Sequence, residues 1–335
     1  MNAYKKFRFL LEYAFTAGAA KALQAGPLER AQALGRVLGR AAFGLGVARK
    51  AALDNLAERL GELDGPQRRA IARAAYASFG QTMAELAWMP ALDTAELDSI
   101  YTFTGLEAMQ AARAAGKGIV CMSAHFGNWE WMGAALIRRG FPVTYLIGTQ
   151  SNPYVDKLFN DYRARVGIQF VRIQSIRDAL RVLKAKGLVA LLGDQDGDKW
   201  GTFVPFFGVE ASTHGIGELL ARRSGALMAF GVPVRLGPRR HHVDVQVLPA
   251  PPTGLSEIQA SAWTLAECNR LLEQAIRAHP EQWLWMHHRW KSKAFHRLSG
   301  EARQRAERGE IFFDLQAQTW RDSASREALH PEGWR

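Results

Sequence analysis

Cysteine is nearly absent. The 335-residue chain carries two, Cys121 and Cys268, far apart. That excludes a disulfide scaffold and leaves no zinc-ligand spacing. Cys121 sits in the apolar run Gly-Ile-Val-Cys-Met and reads as a buried free thiol, with a reducing compartment as the default. Long hydrophobic runs are missing too. No stretch reaches the roughly 18–20 apolar residues that span a bilayer. The nearest, Phe9 to Ala20, is interrupted by Glu12. There is no internal repeat, no low-complexity tract and no Gly-x-Ser-x-Gly elbow to signal a covalent serine. Acidic charge is in deficit: Lys plus Arg is 43 against 32 Asp plus Glu, a net charge of +11. Such a surplus favours an anionic partner, whether phospholipid headgroups, a phosphorylated substrate or nucleic acid.

Apolar residues are plentiful, at 48%, so disorder is excluded by composition. The length fits one large domain with appendages, or two small ones. Ten tryptophans suit surfaces that are greasy on one side and wet on the other. Lys5, Lys6 and Arg8 precede the 9–20 segment. Glu12 and Lys21 argue against a short signal peptide. A basic-flanked amphipathic segment lying on a membrane surface fits better, with an ordinary packed helix as the alternative.

Residues 1–100 are rich in Ala, Leu, Arg and Glu, and apolar positions recur at helical spacing over 28–42 and 67–88. This predicts an N-terminal helical, membrane-surface region. Beyond it the pattern alternates. Strands are expected at 118–122, 142–147, 168–173, 188–192, 227–236 and 243–248. Helices are expected at 128–139, 152–166, 175–186, 213–224 and 260–278. Such alternation predicts an α/β domain over 101–296, with a mostly parallel central sheet flanked by helices. The polar stretch 297–335 reads as a tail, either a peripheral helix or an unstructured end.

The most informative segment is Ser123-Ala-His125-Phe-Gly127-Asn128-Trp129-Glu130. His125 leaves a buried strand, and Glu130 falls in the first turn of the next helix. On one continuous helix, residues five apart diverge by about 140°. The two side chains therefore meet only if His125 lies in the loop and Glu130 reaches back, a geometry that Gly127 and an Asn128 cap would supply. A histidine backed by a carboxylate is a general-base arrangement that can activate a substrate's own hydroxyl. N–H groups at the helix start can help hold an oxyanion or phosphate. The plain alternative is a satisfied histidine beside a helix cap.

The segment resembles the His-x4-Asp/Glu signature of the glycerolipid acyltransferase superfamily, and most closely its branch of bacterial lipid A late (lauroyl and myristoyl) acyltransferases. Asn152-Pro153 with Asp161-Tyr-Arg163-Ala-Arg165 is similar to that family's second block. Gly193-Asp194-Gln195-Asp196 with Phe203-Val-Pro205-Phe206-Phe207-Gly208 and Thr213 is similar to its third. The stretch from Pro280 to Lys291 is similar to its closing block. The resemblance covers about 118–295. It implies catalytic roles for His125 and Glu130. It also implies anion binding or positioning by Arg163, and places Asn128, Asp194, Gln195 and Asp196 at the substrate. It implies a fatty acyl donor carried by acyl carrier protein or coenzyme A, a lipid hydroxyl as acceptor, and a peripheral or monotopic place on the cytoplasmic side of the inner membrane. No metal or organic cofactor is implied. One departure concerns the acceptor: where the family often carries Tyr-Arg-Pro, this chain reads Tyr145-Leu146-Ile147. Relatives acting on ornithine lipids or polyene-type lipids share the blocks.

The remaining features have local readings. The acids of Asp194-Gln-Asp-Gly-Asp198 follow a strand's carboxyl end, where α/β sites form, but lack the closing glutamate of a calcium loop. An orienting role for Asp194 beside His125 is one reading and a plain turn the other. Phe203, Phe206 and Phe207 could line an acyl tunnel or fill core. The stretch with Trp283, Trp285, Trp290 and Arg289 is read as helix packing with cations toward anionic lipid; a nucleic-acid partner is not expected. His241-His242 is read as a surface turn. The same His-carboxylate pair acting on water would make a hydrolase, and a non-catalytic lipid-binding protein is the third possibility.

Overall fold

The computed structural model describes residues 2–330. It opens with helices α1 (Ala3–Gln24), α2 (Leu28–Gly44), α3 (Arg49–Arg59) and α4 (Gly65–Trp88), then the short α5 (Leu97–Ile100). A reciprocal cap starts α4: the Asp64 carboxylate accepts from the Gln67 N–H at 2.7 Å, while the Gln67 amide oxygen accepts from the Asp64 N–H at 2.8 Å. Along α1, Tyr4, Phe7, Leu11 and Phe15 are all exposed. Their spacing puts them on one stripe. Glu12, which breaks the apolar run, instead accepts from the Asn152 amide at 2.9 Å.

The rest of the chain runs β1 (Tyr101–Thr104), α6 (Leu106–Ala114), β2 (Ile119–Ser123), α7 (Trp129–Arg138), β3 (Val143–Ile147), α8 (Pro153–Arg165), β4 (Gln169–Arg172), α9 (Ile176–Lys184) and β5 (Leu188–Leu192). A hairpin follows, β6 (Thr202–Phe206) and β7 (Val209–Thr213), and then α10 (Ile216–Ser224). After it come β8 (Leu227–Phe230), β9 (Pro233–Gly237), β10 (Arg240–Asp244), β11 (Gln246–Val247) and α11 (Glu257–Ala278). The last elements are α12 (Gly300–Glu307), β12 (Ile311–Asp314), β13 (Thr319–Asp322) and β14 (Ala328–Leu329).

Six strands form the main sheet in the order β11-β8-β2-β5-β3-β4. Pairing is parallel from β8 to β4 and antiparallel at β11. A second sheet, β1-β10-β9, is mixed, while β6-β7 and β12-β13-β14 are antiparallel. The fold is thus mixed α/β with a helical N-terminal region, and parallel pairing belongs to only part of it. Every residue of β2 is buried, as a strand covered on both faces requires. Val120, Met122, Val189 and Leu191 pack with α9, α10 and α11 on one face. Ile119, Cys121, Leu188 and Ala190 pack with α6, α7 and α8 on the other. Burial pushes both thiols, Cys121 and Cys268, up to about 12.

Several expectations need correction. The predicted strand 227–236 is two strands in different sheets, and 243–248 divides likewise. Thr213 ends a strand, so the helix expected from it begins at Ile216. His241 is a strand residue with no solvent exposure, stacked on Tyr101 with ring centroids 4.7 Å apart. Burial pushes it down to about 3, so it is neutral. The stretch 297–330 carries a three-stranded sheet besides its helix, with Ile311 and Trp320 packed on Phe203 and Leu298. Among the described residues, no helix is long and apolar enough to cross a membrane.

Candidate active site

Strand register builds the centre of the site. β2 and β5 are parallel neighbours with Ser123 opposite Leu192. His125 lies two residues beyond the first, and Asp194 two residues beyond the second, so the two emerge side by side at the sheet's carboxyl edge. His125 Nδ1 is 2.9 Å from Asp194 Oδ1. Asp194 Oδ2 accepts from the His125 backbone N–H and from the Trp283 indole N–H, each at 2.9 Å. Burial alone would raise the Asp194 carboxyl, but His125 and these donors hold it below the ordinary range. It is therefore an ionised acceptor. That fixes the proton on His125 Nδ1 and leaves Nε2 as the basic nitrogen. Burial works against the imidazolium, yet Asp194, aided by the Glu130 charge, raises the His125 pKa overall.

Glu130 sits where the spacing predicts, in the first turn of α7, but it does not carry the hydrogen bond to His125. Its two oxygens accept from Arg163 Nε at 2.9 Å and Nη2 at 2.6 Å, a bidentate fork. The expectation that Glu130 orients the ring through contact is corrected: Asp194 does so, because its strand is adjacent and in register. Glu130 acts on His125 through its charge. Arg163 also donates to Asn160 Oδ1 at 2.9 Å, and Glu130 raises its pKa against the opposing effect of burial.

Neighbouring segments pin the loop between β2 and α7. Thr82 donates to the Gly127 carbonyl at 2.6 Å, and the Gly127 N–H donates to the Gln282 carbonyl at 3.1 Å. Gly127 has φ +54°, and a Cβ there would run into the Pro233 carbonyl. Asn128 is fully buried. Its Oδ1 caps α7 by accepting from the Trp131 N–H, and its Nδ2 donates to Glu85 Oε2 at 2.7 Å. Glu85 in turn takes a fork from Arg235, at 2.7 Å on each arm. Tyr145 locks the first turn of α7: its hydroxyl donates to the Trp129 or Glu130 carbonyl and accepts from the Gly133 N–H at 3.2 Å.

Asp196 faces away from the reacting centre. Its carboxylate accepts from Ser292 Oγ at 2.7 Å, the Ser292 N–H and the Asp198 N–H, and its own N–H donates to His287 Nε2 at 2.9 Å. Asn128 and Asp196 thus spend their polar atoms on the protein, which corrects their reading as substrate contacts. Arg289 is corrected too. It is fully buried and donates to the Ser212 carbonyl and Thr213 Oγ1, and the segment around it is turns rather than helix. Phe206 stacks on Trp290 at 5.3 Å. Neither it nor Phe203 and Phe207 reaches the cavity wall.

His125 opens on a cavity of about 630 Å³. Phe79, Met83 and Leu86 of α4, Met132 of α7, Phe159 of α8, and Leu146, Ile173 and Ile216 make much of its wall apolar. The polar groups are Ser123, Glu130, Tyr145, Arg163, Gln195 and His214 among others. Ser123 Oγ is buried and has no hydrogen-bond partner. The sequence reading missed Ser123 and His214 at the wall and Trp283 on Asp194. The only advance signal was their position next to motif residues.

An imidazole held by a buried carboxylate at a strand's exit, facing a largely apolar chamber, has the arrangement with which a general base can act on an apolar substrate. The chain belongs to the family described as bacterial lipid A biosynthesis acyltransferase, which matches residues 1–292. It is 28% identical over 191 residues to the lipid A biosynthesis lauroyltransferase of Escherichia coli, covering 56% of this chain and 61% of that protein. It is 27% identical over 246 residues to the phosphatidylinositol mannoside acyltransferase of Mycobacterium tuberculosis, 70% of this chain and 75% of that one. A lipid A biosynthesis acyltransferase of Haemophilus influenzae is 27% identical over 224 residues, 66% and 68% of the two chains.

Proposed function

We propose that this protein transfers a fatty acyl group from a thioester, carried by acyl carrier protein or coenzyme A, to a hydroxyl of a lipid acceptor, a lipid A precursor or related glycolipid. The observation that carries the reading is His125, with Nδ1 held by ionised Asp194 and the ring at the wall of the apolar cavity. Nε2 takes the proton of the acceptor hydroxyl as its oxygen attacks the thioester carbonyl. The tetrahedral intermediate collapses, the C–O ester bond remains, the C–S bond breaks, and the imidazolium returns its proton to the departing thiolate. Glu130 contributes negative charge that favours the imidazolium. Arg163 fixes Glu130 and adds positive charge to the wall near the developing oxyanion. Gln195 and Ser123 are polar contacts for the substrate at the same wall, and the apolar lining takes the acyl chain.

The exposed stripe Tyr4, Phe7, Leu11 and Phe15 on α1, beside Lys5, Lys6 and Arg8, supports a resting place on the cytoplasmic surface of the inner membrane. No metal or organic cofactor enters the transfer. The test is purified protein supplied with acyl-thioester donor, with and without lipid acceptor. His125→Ala should lose nearly all transfer while its circular dichroism is kept. Near-normal transfer by that variant ends the mechanism. Acyl release independent of the acceptor makes the protein a hydrolase instead.

A further inference from the structure

Away from the active site, four arginines share one cleft of about 550 Å³ at the junction of α2, α3 and α4: Arg40, Arg49, Arg69 and Arg73, over Phe43. Among the described residues none of the four forms an ion pair. Nearby carboxylates are engaged elsewhere: Asp54 with Lys50 at 2.6 Å, Glu58 with Arg59 at 2.8 Å, Glu62 with Arg277 at 3.5 Å, and Asp64 in the α4 cap. The cleft's floor is firm. Phe43 is buried and packs edge-on against Tyr76 with centroids 5.3 Å apart, while Tyr76 donates to the Val47 carbonyl. Arg49 and Arg69 each lie 5.7 Å from the Phe43 ring. Helix α3 starts at Arg49-Lys50, with no acidic residue in its first turn and no side-chain cap, so its positive end adds to the same field.

Four like charges gathered without a counter-charge repel one another, and guanidinium forks match the oxygens of phosphate. What surrounds the cleft says where that phosphate comes from. Leu45 and Val47, on the loop between α2 and α3, are 84% and 59% exposed. Val37 and Leu38 of α2 are exposed as well. Arg49 donates to the Phe43 and Gly44 carbonyls at 3.3 and 3.4 Å, and none of the four has a carboxylate partner among the described residues. Protruding apolar side chains beside such arginines are the pattern of an interfacial lipid site rather than of a site for a soluble anion. We propose that the Arg40–Arg49–Arg69–Arg73 cleft binds the phosphate of an anionic phospholipid, with Leu45 and Val47 dipping into the acyl boundary. The proposal extends the membrane-surface reading of α1 and rests on it only in choosing a lipid over a free anion.

Full-length protein is sedimented with vesicles of phosphatidylcholine alone, or with phosphatidylglycerol added. The variants are the triple Arg40→Ala/Arg69→Ala/Arg73→Ala, the same three positions as Lys, and Phe7→Ser/Phe15→Ser on α1. All substituted side chains are exposed, and thermal melting checks the fold of each. The alanine triple should bind phosphatidylglycerol vesicles at least about tenfold more weakly, since three cations facing an anionic surface are removed. Its binding to phosphatidylcholine should be unchanged, and the lysine triple should keep most of the anionic preference. The α1 variant should lose binding to both vesicles, so failure of that reading is visible separately. An alanine triple with undiminished phosphatidylglycerol preference overturns the proposal. So does preference abolished by millimolar inorganic phosphate, which would mark a free-anion site. A raised KM for the carrier-bound acyl donor with vesicle binding intact would mark a protein dock and overturn it too.

Discussion

Two buried glutamate–arginine forks flank the loop between β2 and α7, and they differ in what they face. Glu130 and Arg163 both stand at the wall of the cavity that His125 opens on. Neither Glu85 nor Arg235 lines that cavity, and Glu85 is fully buried and also accepts from Gln32, Gln81 and Asn128. Burial alone would raise the Glu85 carboxyl, and Arg235, helped by the Gln81 hydrogen bond, holds it below the ordinary range. The chemistry of the forks is the same, but the first lines the cavity beside His125 and the second ties the N-terminal helices to the loop that follows His125. The proposed function gives the first a part in the reaction and leaves the second to the scaffold, a division that residue type alone does not reveal.

Substitutions can break or sharpen that division. The largest expected effect lies between the forks, at Asp194→Asn. It exchanges an ionised acceptor for an amide that no longer enforces the Nδ1–H tautomer, and kcat should fall by about a thousandfold or more. Removing the carboxylate also lowers the His125 pKa. The acid limb of the kcat/KM profile, which in the parent should lie above the ordinary imidazole value of about 6.5, should move to lower pH in the variant. A limb that stays in place would remove Asp194 from the proton balance.

Next come the forks themselves, compared by two readouts. Glu85→Ala strands a buried guanidinium and should cost about 3–5 kcal/mol of stability, read as a large drop in Tm. Glu130→Gln keeps the side chain's shape but removes the charge beside Arg163, so it should lower Tm less than Glu85→Ala while kcat falls on the order of a hundredfold. Equal Tm losses would erase the distinction. The smallest expected effect is Ser123→Ala, about tenfold in kcat with KM and Tm little changed. No change in kcat would take the hydroxyl out of the reaction.

Much of the sheet was legible. Continuous apolar runs gave β2, β3, β4 and β5, and the helices between them were marked by the Asn128 and Asn152 caps and by glycines at 140 and 167. What the local pattern left open depends on pairing between distant segments. An orienting role for Asp194 beside His125 is one of two readings of the turn after a strand, and the hydrogen bond between them decides for it. The decision requires β2 and β5 to be neighbours in a particular register, which nothing local at either residue encodes. The burial of His241 requires β10 to lie against β1, so two histidines that follow a pair of arginines looked like surface. The sheet at 311–329 escaped notice because its strands are short and polar on their outer faces, with Ile311 and Trp320 carrying the packing. Glu130 was found by motif, but its partner was misjudged because Arg163 arrives from another helix, 33 residues on.

Since His125 and Asp194 each follow by two residues the end of one of two paired parallel strands, the ladder beneath sets where both emerge. Much of the apolar wall comes instead from side chains of α4, α7 and α8, so its shape can be altered by substitution there without touching either strand end.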